Sequence, residues 1–303
     1  MQAEHRADEP GGPRLDAVAL VRAATRLAAT GAVPWLHGEA ARRMAERLPL
    51  VKLQPQRVLD WSGPLGGSEE LLRQAYPQAR QQWVQVDGLP PVAPRPVGAA
   101  RWWPWRRAGR EALAAADAEP GAAQLLWSNM LLQACDDPAP LLGQWQRVLA
   151  TGGFLMFSTL GPGSLPELRD LYREQGWGEP MVPFIDMHDL GDLLVRAGFA
   201  DPVMDQEQLT LTWPDAQALL SELRGLGANL SPRRHAGLRT PRWRQRLLAA
   251  LAAKAVDGRP RLSFELVYGH AFKAAPRTAV QAEARVSLED MRTQLRQGKL
   301  PPT

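Results

Sequence analysis

Cysteine is nearly absent: Cys135 is the only one in 303 residues, which excludes an intrachain disulfide and any cysteine-rich metal site. Its neighbours Asp136 and Asp137 oppose thiolate formation, so a nucleophilic role is not expected. Long hydrophobic runs are missing as well, since no stretch reaches the roughly 18 consecutive apolar residues that a membrane helix needs. The opening residues mix acids and bases without the apolar centre of a signal peptide. The expected setting is therefore cytoplasmic, with no membrane partner. Histidines are few, and His5, His37, His188, His235 and His270 are scattered without ligand spacing, so no metal is expected. Internal repeats are lacking too.

What is present is a modest basic excess, net +4, carried by arginine more than lysine. It gathers at Arg101, Arg106, Arg107 and Arg110 and again from Arg233 to Arg246. Each cluster suits either a solvated helix face or an acidic partner.

Periodicity organises the rest. Helical spacing is read over 15–29 and 38–48, ahead of a short apolar run, RVLDW, at 57–61. Breakers follow it (Ser62, Gly63, Pro64, Leu65, Gly66, Gly67, Ser68) and then the helical EELLRQAY. A second run, QWVQVD at 82–87, again ends in an acid. Two such βα units in a row predict a parallel sheet. The segment 98–107, GAARWWPWRR, fits no element because Pro104 interrupts it. AAQLLWSN (122–129) and GFLMFST (153–159) are further strands, separated by a helix over 138–150. Helices are expected over 165–174, 187–197, 214–226 and 240–256, the last with Thr240 as N-cap and Pro241 in the first turn. QLTLTW (208–213) and LSFELVYGHAFK (262–273) alternate as an antiparallel pair. The expected class is α/β: a doubly wound, mostly parallel, Rossmann-like sheet with an antiparallel C-terminal hairpin edge.

In such sheets ligands sit beyond the carboxyl ends of the strands, where the chain order reverses. This points to Asp60, Asp87, Ser128, Asn129, Ser158 and Thr159. Gly63, Gly66 and Gly67 allow close backbone approach, and an acid ending the second strand can accept both hydroxyls of a ribose. Glycines in a βα turn also serve tight geometry alone, so the pattern by itself leaves both readings open.

VLDWSGPLGGSEELL, WVQVD, LLWSNMLLQ, FSTLGPGSLPEL and LRGLGAN together resemble the class I S-adenosyl-L-methionine (SAM) methyltransferases. Within them the chain is most similar to the malonyl-acyl-carrier-protein O-methyltransferase family of biotin synthesis, over roughly 57–274. The resemblance implies SAM as cofactor, held by Asp60, Ser62, Gly63, Gly66, Gly67, Asp87, Ser128 and Asn129. It also implies methylation of the free carboxylate of a malonyl thioester on acyl carrier protein. The expected division of the chain is a disordered N-terminus (1–13), a methyltransferase-like domain (14–275) and a tail (276–303). Within the domain, 14–55 forms N-terminal helices, 56–160 the cofactor half and 161–275 the substrate half.

Two departures stand out. The family turn reads acid-x-Gly-x-Gly-x-Gly, yet Ser62 and Pro64 replace the first two glycines. Pro64 has no N–H to offer, and Ser62 would be strained if its backbone were left-handed. The expected effect is a roughly ten- to hundredfold weaker hold on SAM. The second departure is an acid absent after the third strand, where Trp102, Trp103 and Trp105 stand instead. These motivate an alternative, a catalytically degenerate methyltransferase-like protein that binds or regulates a partner.

A carboxylate is already a nucleophile, so no acid or base catalyst is assigned, and proximity is expected to dominate. Arginine is the natural anchor for the malonyl carboxylate, with Arg169, Arg233, Arg234 and Arg239 as candidates. The stretch from Arg233 to Arg246 could dock the acidic carrier. Nucleic acid, suggested only by Arg/Trp interleaving at 101–107, is not the expected partner.

Overall fold

Side-chain alternation builds the sheet. The structure is a computed structural model that describes residues 15–86, 111–275 and Arg292. Residues 1–13, Asp87, the Arg/Trp segment 101–107 and the tail beyond 275, Arg292 apart, for which expectations were given above, lie outside the described residues. In chain order the elements are α1 (Ala17–Thr30), α2 (Trp35–Ala45), β1 (Arg57–Asp60), α3 (Glu69–Ala75), β2 (Arg80–Gln85), β3 (Glu111–Ala114), β4 (Ala123–Asn129), α4 (Pro138–Val148), β5 (Leu149–Leu160), α5 (Pro166–Glu174), α6 (Met187–Arg196), β6 (Ala200–Thr212), α7 (Ala216–Leu226), α8 (Pro241–Ala253) and β7 (Arg261–Phe272).

Successive strand residues point to opposite faces. Val58, Leu125, Trp127, Phe154 and Met156 enter one core cluster, with residues of α2, α3, α5, α7 and α8. Leu59, Leu126, Leu155 and Phe157 enter another, against α4 and α6. Strands covered on both faces read as continuous apolar runs, which is why LLW and FLMF were conspicuous.

The sheet has seven strands in the order β3-β2-β1-β4-β5-β7-β6. The first five run parallel, and β7 is antiparallel to both β5 and β6. This is the doubly wound, mostly parallel α/β class expected. Chain order reverses between β1 and β4, so a crevice forms beyond their carboxyl ends.

Three differences from the expected elements have physical causes. The third strand is Glu111–Ala114, paired with β2; EALA hid it because alanine has little strand preference. β6 starts at Ala200 rather than 208, because an edge strand tolerates Pro202 and its register shifts between Ala200 and Val203. The antiparallel pair at the edge is joined through α7 and α8 instead of a hairpin turn. The expected cap of α8 is present: Thr240 accepts from the Trp243 N–H, with proline in the first turn.

α2 is tied to the antiparallel edge by charge. Arg43 pairs with Glu207 at 2.7 Å and Arg47 with Asp205 at 2.5 Å. The Arg47 guanidinium also lies 4.1 Å from the centroid of the Tyr268 ring, whose hydroxyl donates to Glu207. Burial beside Glu207 pushes the Tyr268 phenol well above its usual range. Among the described residues, no helix is long and apolar enough to cross a membrane.

Candidate functional site

The turn after β1 tolerates its unusual residues. Ser62 has φ −87° and ψ −16°, a right-handed conformation, so the left-handed strain considered for it does not arise. Left-handed backbone falls on Gly63 (φ +61°) and Gly67 (φ +70°) instead. Pro64 lies in the first turn of a 3-10 segment, Gly63–Gly66, where a missing N–H breaks no helical bond. The Ser62 side chain is engaged by the protein: its Oγ donates to Asp60 Oδ1 at 2.6 Å and accepts from the Asn129 N–H at 2.9 Å. It fills the space over Gly66, where an added Cβ would lie 2.6 Å from both Ser62 Cβ and Oγ.

Asn129 clamps this turn from the end of β4. It is 1% exposed, and its Nδ2 donates to the Gly66 carbonyl at 2.6 Å and the His37 carbonyl at 2.8 Å. Its Oδ1 accepts from Ser158 Oγ, across the β4–β5 register. Asn129 therefore ties four segments together: α2, the turn, β4 and β5.

His37 completes the clamp. It lies on the apolar stripe of α2 with Ala40, Ala41 and Met44, and its Nδ1 is 3.0 Å from the Leu65 carbonyl. A carbonyl only accepts, so Nδ1 carries the proton. Burial lowers its pKa to about 4, leaving the ring neutral near pH 7. Sequence spacing gave no signal for this residue, because it reads as one more member of a buried helix face.

A cavity of about 520 Å³ opens beside the turn, within the roughly 300 to 1,000 Å³ usual for small-ligand sites. Its turn end is bordered by His37, Ser62, Leu65, Gly66, Asn129 and Met130. It is also bordered by Tyr172, Trp243 and the arginines 224, 239 and 244, and by Leu20, Ala23 and Leu27 of α1. Asp60, Gly63, Gly67 and Ser128 do not border it. Asp60 supports the turn from below, and Ser128 is fully buried, on the sheet face opposite its neighbours Trp127 and Asn129.

The structure separates the four arginine candidates. Arg169 is half-buried on α5 and away from the cavity. Arg233 is exposed and pairs with Glu179, and Arg234 pairs with Asp16 at 2.7 Å. Arg239 borders the cavity, donates to the Trp177 carbonyl at 2.7 Å and stacks 4.5 Å from the Trp243 ring centroid. It has no carboxylate partner among the described residues. An acid does follow the true third strand: Asp117, in the 3-10 turn after β3 and exposed. Because the third strand lies at Glu111–Ala114, the acid expected to be absent after it is present.

The residues fit a SAM-sized group at this end. Ser62 and Gly66 both border the cavity, the Ser62 side chain covering the Cβ side of Gly66 with its hydroxyl turned toward Asp60 and Asn129. Among the described residues, no cluster of three or more His, Cys, Asp or Glu could hold a metal.

The His37 ring also predicts a pH effect. Its folded pKa lies below the unfolded value, so the unfolded chain binds the extra proton and stability falls as pH drops from about 6.5 toward 4. The loss between pH 7 and pH 5 should be about 2 kcal/mol. Urea titrations at both pH values should give a slope that His37→Asn removes by that amount; equal slopes would contradict the assignment.

Comparisons with known proteins identify the family. A family model described as a methyltransferase domain matches residues 35–201. The chain is 40% identical over 249 residues to the malonyl-acyl-carrier-protein O-methyltransferase of Gallionella capsiferriformans, covering 80% of this chain and 85% of that protein. It is 39% identical over 275 residues to the enzyme of that name from a Methylovorus species, covering 88% and 92%. Among solved structures, the YcgJ protein of Bacillus subtilis matches with a TM-score of 0.50 at 11% identity, covering 78% of this chain and 99% of that one; this likeness concerns the fold alone. By its domain match and by these relatives, the chain belongs to the class I SAM-dependent methyltransferases and, within them, to the malonyl-acyl-carrier-protein O-methyltransferase family.

Proposed function

We propose that the protein methylates the free carboxylate of a malonyl thioester on acyl carrier protein, a cytoplasmic step of biotin synthesis. The observation that carries this reading is Arg239, a half-buried cation bordering a largely apolar cavity that the β1 turn also borders. The turn from Ser62 to Gly67, with Asn129 behind it, is the seat for SAM. Asp87, which closes the sequence run QWVQVD, is suited to the ribose, and Asp117 to the adenine. Bound SAM supplies an electrophilic methyl group.

The protein's own residues then have positioning work. Arg239 is prevented from collapsing by its bond to the Trp177 carbonyl and its stacking on Trp243. Its remaining N–H groups can take a carboxylate and aim one oxygen toward the turn. Apolar walls from α1, α5 and α7 exclude water, which strengthens that ion pair. No proton need move, so no acid or base is required, and the accelerating factor is alignment.

The reading is tested with methyl-labelled SAM, malonyl-loaded carrier and acetyl-loaded carrier. Label should appear as an alkali-labile ester on the malonyl carrier only. Label on neither, or equally on both, would contradict it.

For the carrier itself we place the docking surface on the Arg233 to Arg246 stretch. Leu238 is 97% exposed there, and Arg242 and Arg246 are exposed on α8. Reversing both charges (Arg242→Glu with Arg246→Glu) should raise KM for the carrier-bound substrate by roughly tenfold or more. The KM for malonyl-pantetheine should not change. An equal rise for both substrates would place the effect in the cavity and not at a docking surface.

A further inference from the structure

We infer that the Nε2 lone pair of His37 accepts a hydrogen bond from the ammonium group at the amino-acid end of the methyl donor. The inference rests on the reading that SAM occupies the cavity beside the turn, and it adds a recognition role for a residue on α2.

The geometry restricts what this nitrogen can do. With Nδ1 holding the proton for the Leu65 carbonyl, a neutral ring leaves Nε2 as an acceptor only. Nε2 has no hydrogen-bond partner among the described residues and is not among the fully buried unpaired atoms. His37 borders the cavity, so that is where this lone pair is accessible. The other polar side chains at this end are engaged by the protein. Ser62 bonds Asp60 and Asn129, Asn129 bonds Gly66, His37 and Ser158, and Gln133 bonds Met130 and Thr159.

Orientation follows from strand order. β1 lies between β2 and β4. A ribose held at the end of β2 leaves the amino-acid end of the donor to cross the β1 turn toward β4, the side where His37 stands. An acceptor there suits an ammonium and repels a carboxylate. Burial, which keeps the ring neutral, preserves that preference near pH 7.

Two variants separate accepting from holding the turn. An asparagine amide reaches the position of Nδ1, so His37→Asn keeps the bond to Leu65 and removes the acceptor. A glutamine reaches the position of Nε2, so His37→Gln does the reverse. The probes are S-adenosylhomocysteine and 5′-methylthioadenosine, which shares the nucleoside and thioether but lacks the amino-acid end. By calorimetry on the full chain, His37→Asn should bind S-adenosylhomocysteine about ten- to a hundredfold more weakly, with methylthioadenosine unchanged. His37→Gln should recover most of that loss. Wild-type binding at pH 7, measured in two buffers of different ionisation enthalpy, should take up no proton.

Equal weakening of both ligands by His37→Asn would overturn the inference in favour of a purely structural role. Uptake of a proton would overturn it in favour of an imidazolium paired with the carboxylate. If the wild type binds neither ligand, the SAM reading itself fails, and this inference with it.

Discussion

Asn129→Ala is expected to lower the unfolding midpoint by roughly 5 to 15 °C and to remove measurable SAM binding. The substitution strips the donor from two carbonyls, Gly66 and His37, and the acceptor from Ser158 Oγ, at a site 1% exposed. Each buried group left unsatisfied costs about 1 to 3 kcal/mol. Stability falls because α2, β4 and β5 lose a shared anchor, and binding falls because the turn loses its fixed shape. Asn129→Asp tests the same point at constant volume. A carboxylate facing two carbonyls repels them, so it should be at least as damaging. Scanning calorimetry together with a SAM titration reads both effects. A variant that melts like the wild type and still binds SAM would show that the turn stands without its clamp.

Arg239→Met should reduce kcat/KM for the malonyl thioester by about a hundredfold or more, the usual consequence of removing a charge-assisted bidentate contact. The dissociation constant for S-adenosylhomocysteine should stay within about twofold, because Arg239 is held by Trp177 and Trp243 and shares no hydrogen-bond partner with the β1 turn. Methionine retains much of the stacked volume on Trp243, so simple loss of structure is minimised. Arg239→Lys should rescue little, since an ammonium offers neither the fork nor the planar stack. Equal loss of product binding and turnover would move Arg239 from substrate anchoring to general support of the fold.

Much of the architecture was legible in the chain because apolar strands buried on both faces announce themselves. RVLD, LLWSN and FLMFST could not be solvent-exposed, and their spacing around an intervening helix implied parallel pairing. EALA was illegible for the opposite reason, as an alanine-rich strand carries no alternation and depends on pairing with β2. Asp117 was missed along with it. The site was half legible: the turn and Asn129 follow from strand ends, whereas His37 enters through α2, far away in sequence. Arg239 could not be separated from Arg169, Arg233 and Arg234 by type or spacing. What distinguishes it is tertiary, since Arg233 and Arg234 find acidic partners and Arg169 lies off the cavity. The significance of Ser62 was also hidden. Its effect depends on a backbone angle, and the left-handed positions turned out to be the neighbouring Gly63 and Gly67.

For the protein to act as a methyltransferase, a turn bearing Ser62 and Pro64 must still seat the sulfonium nucleoside next to the cavity. The direct measurement is a calorimetric titration of the protein with SAM, paired with its melting temperature at each ligand concentration. A saturable single-site isotherm, with a melting temperature that climbs as ligand is added, is the predicted result. No heat of binding and an unmoved melting temperature at millimolar SAM would contradict it.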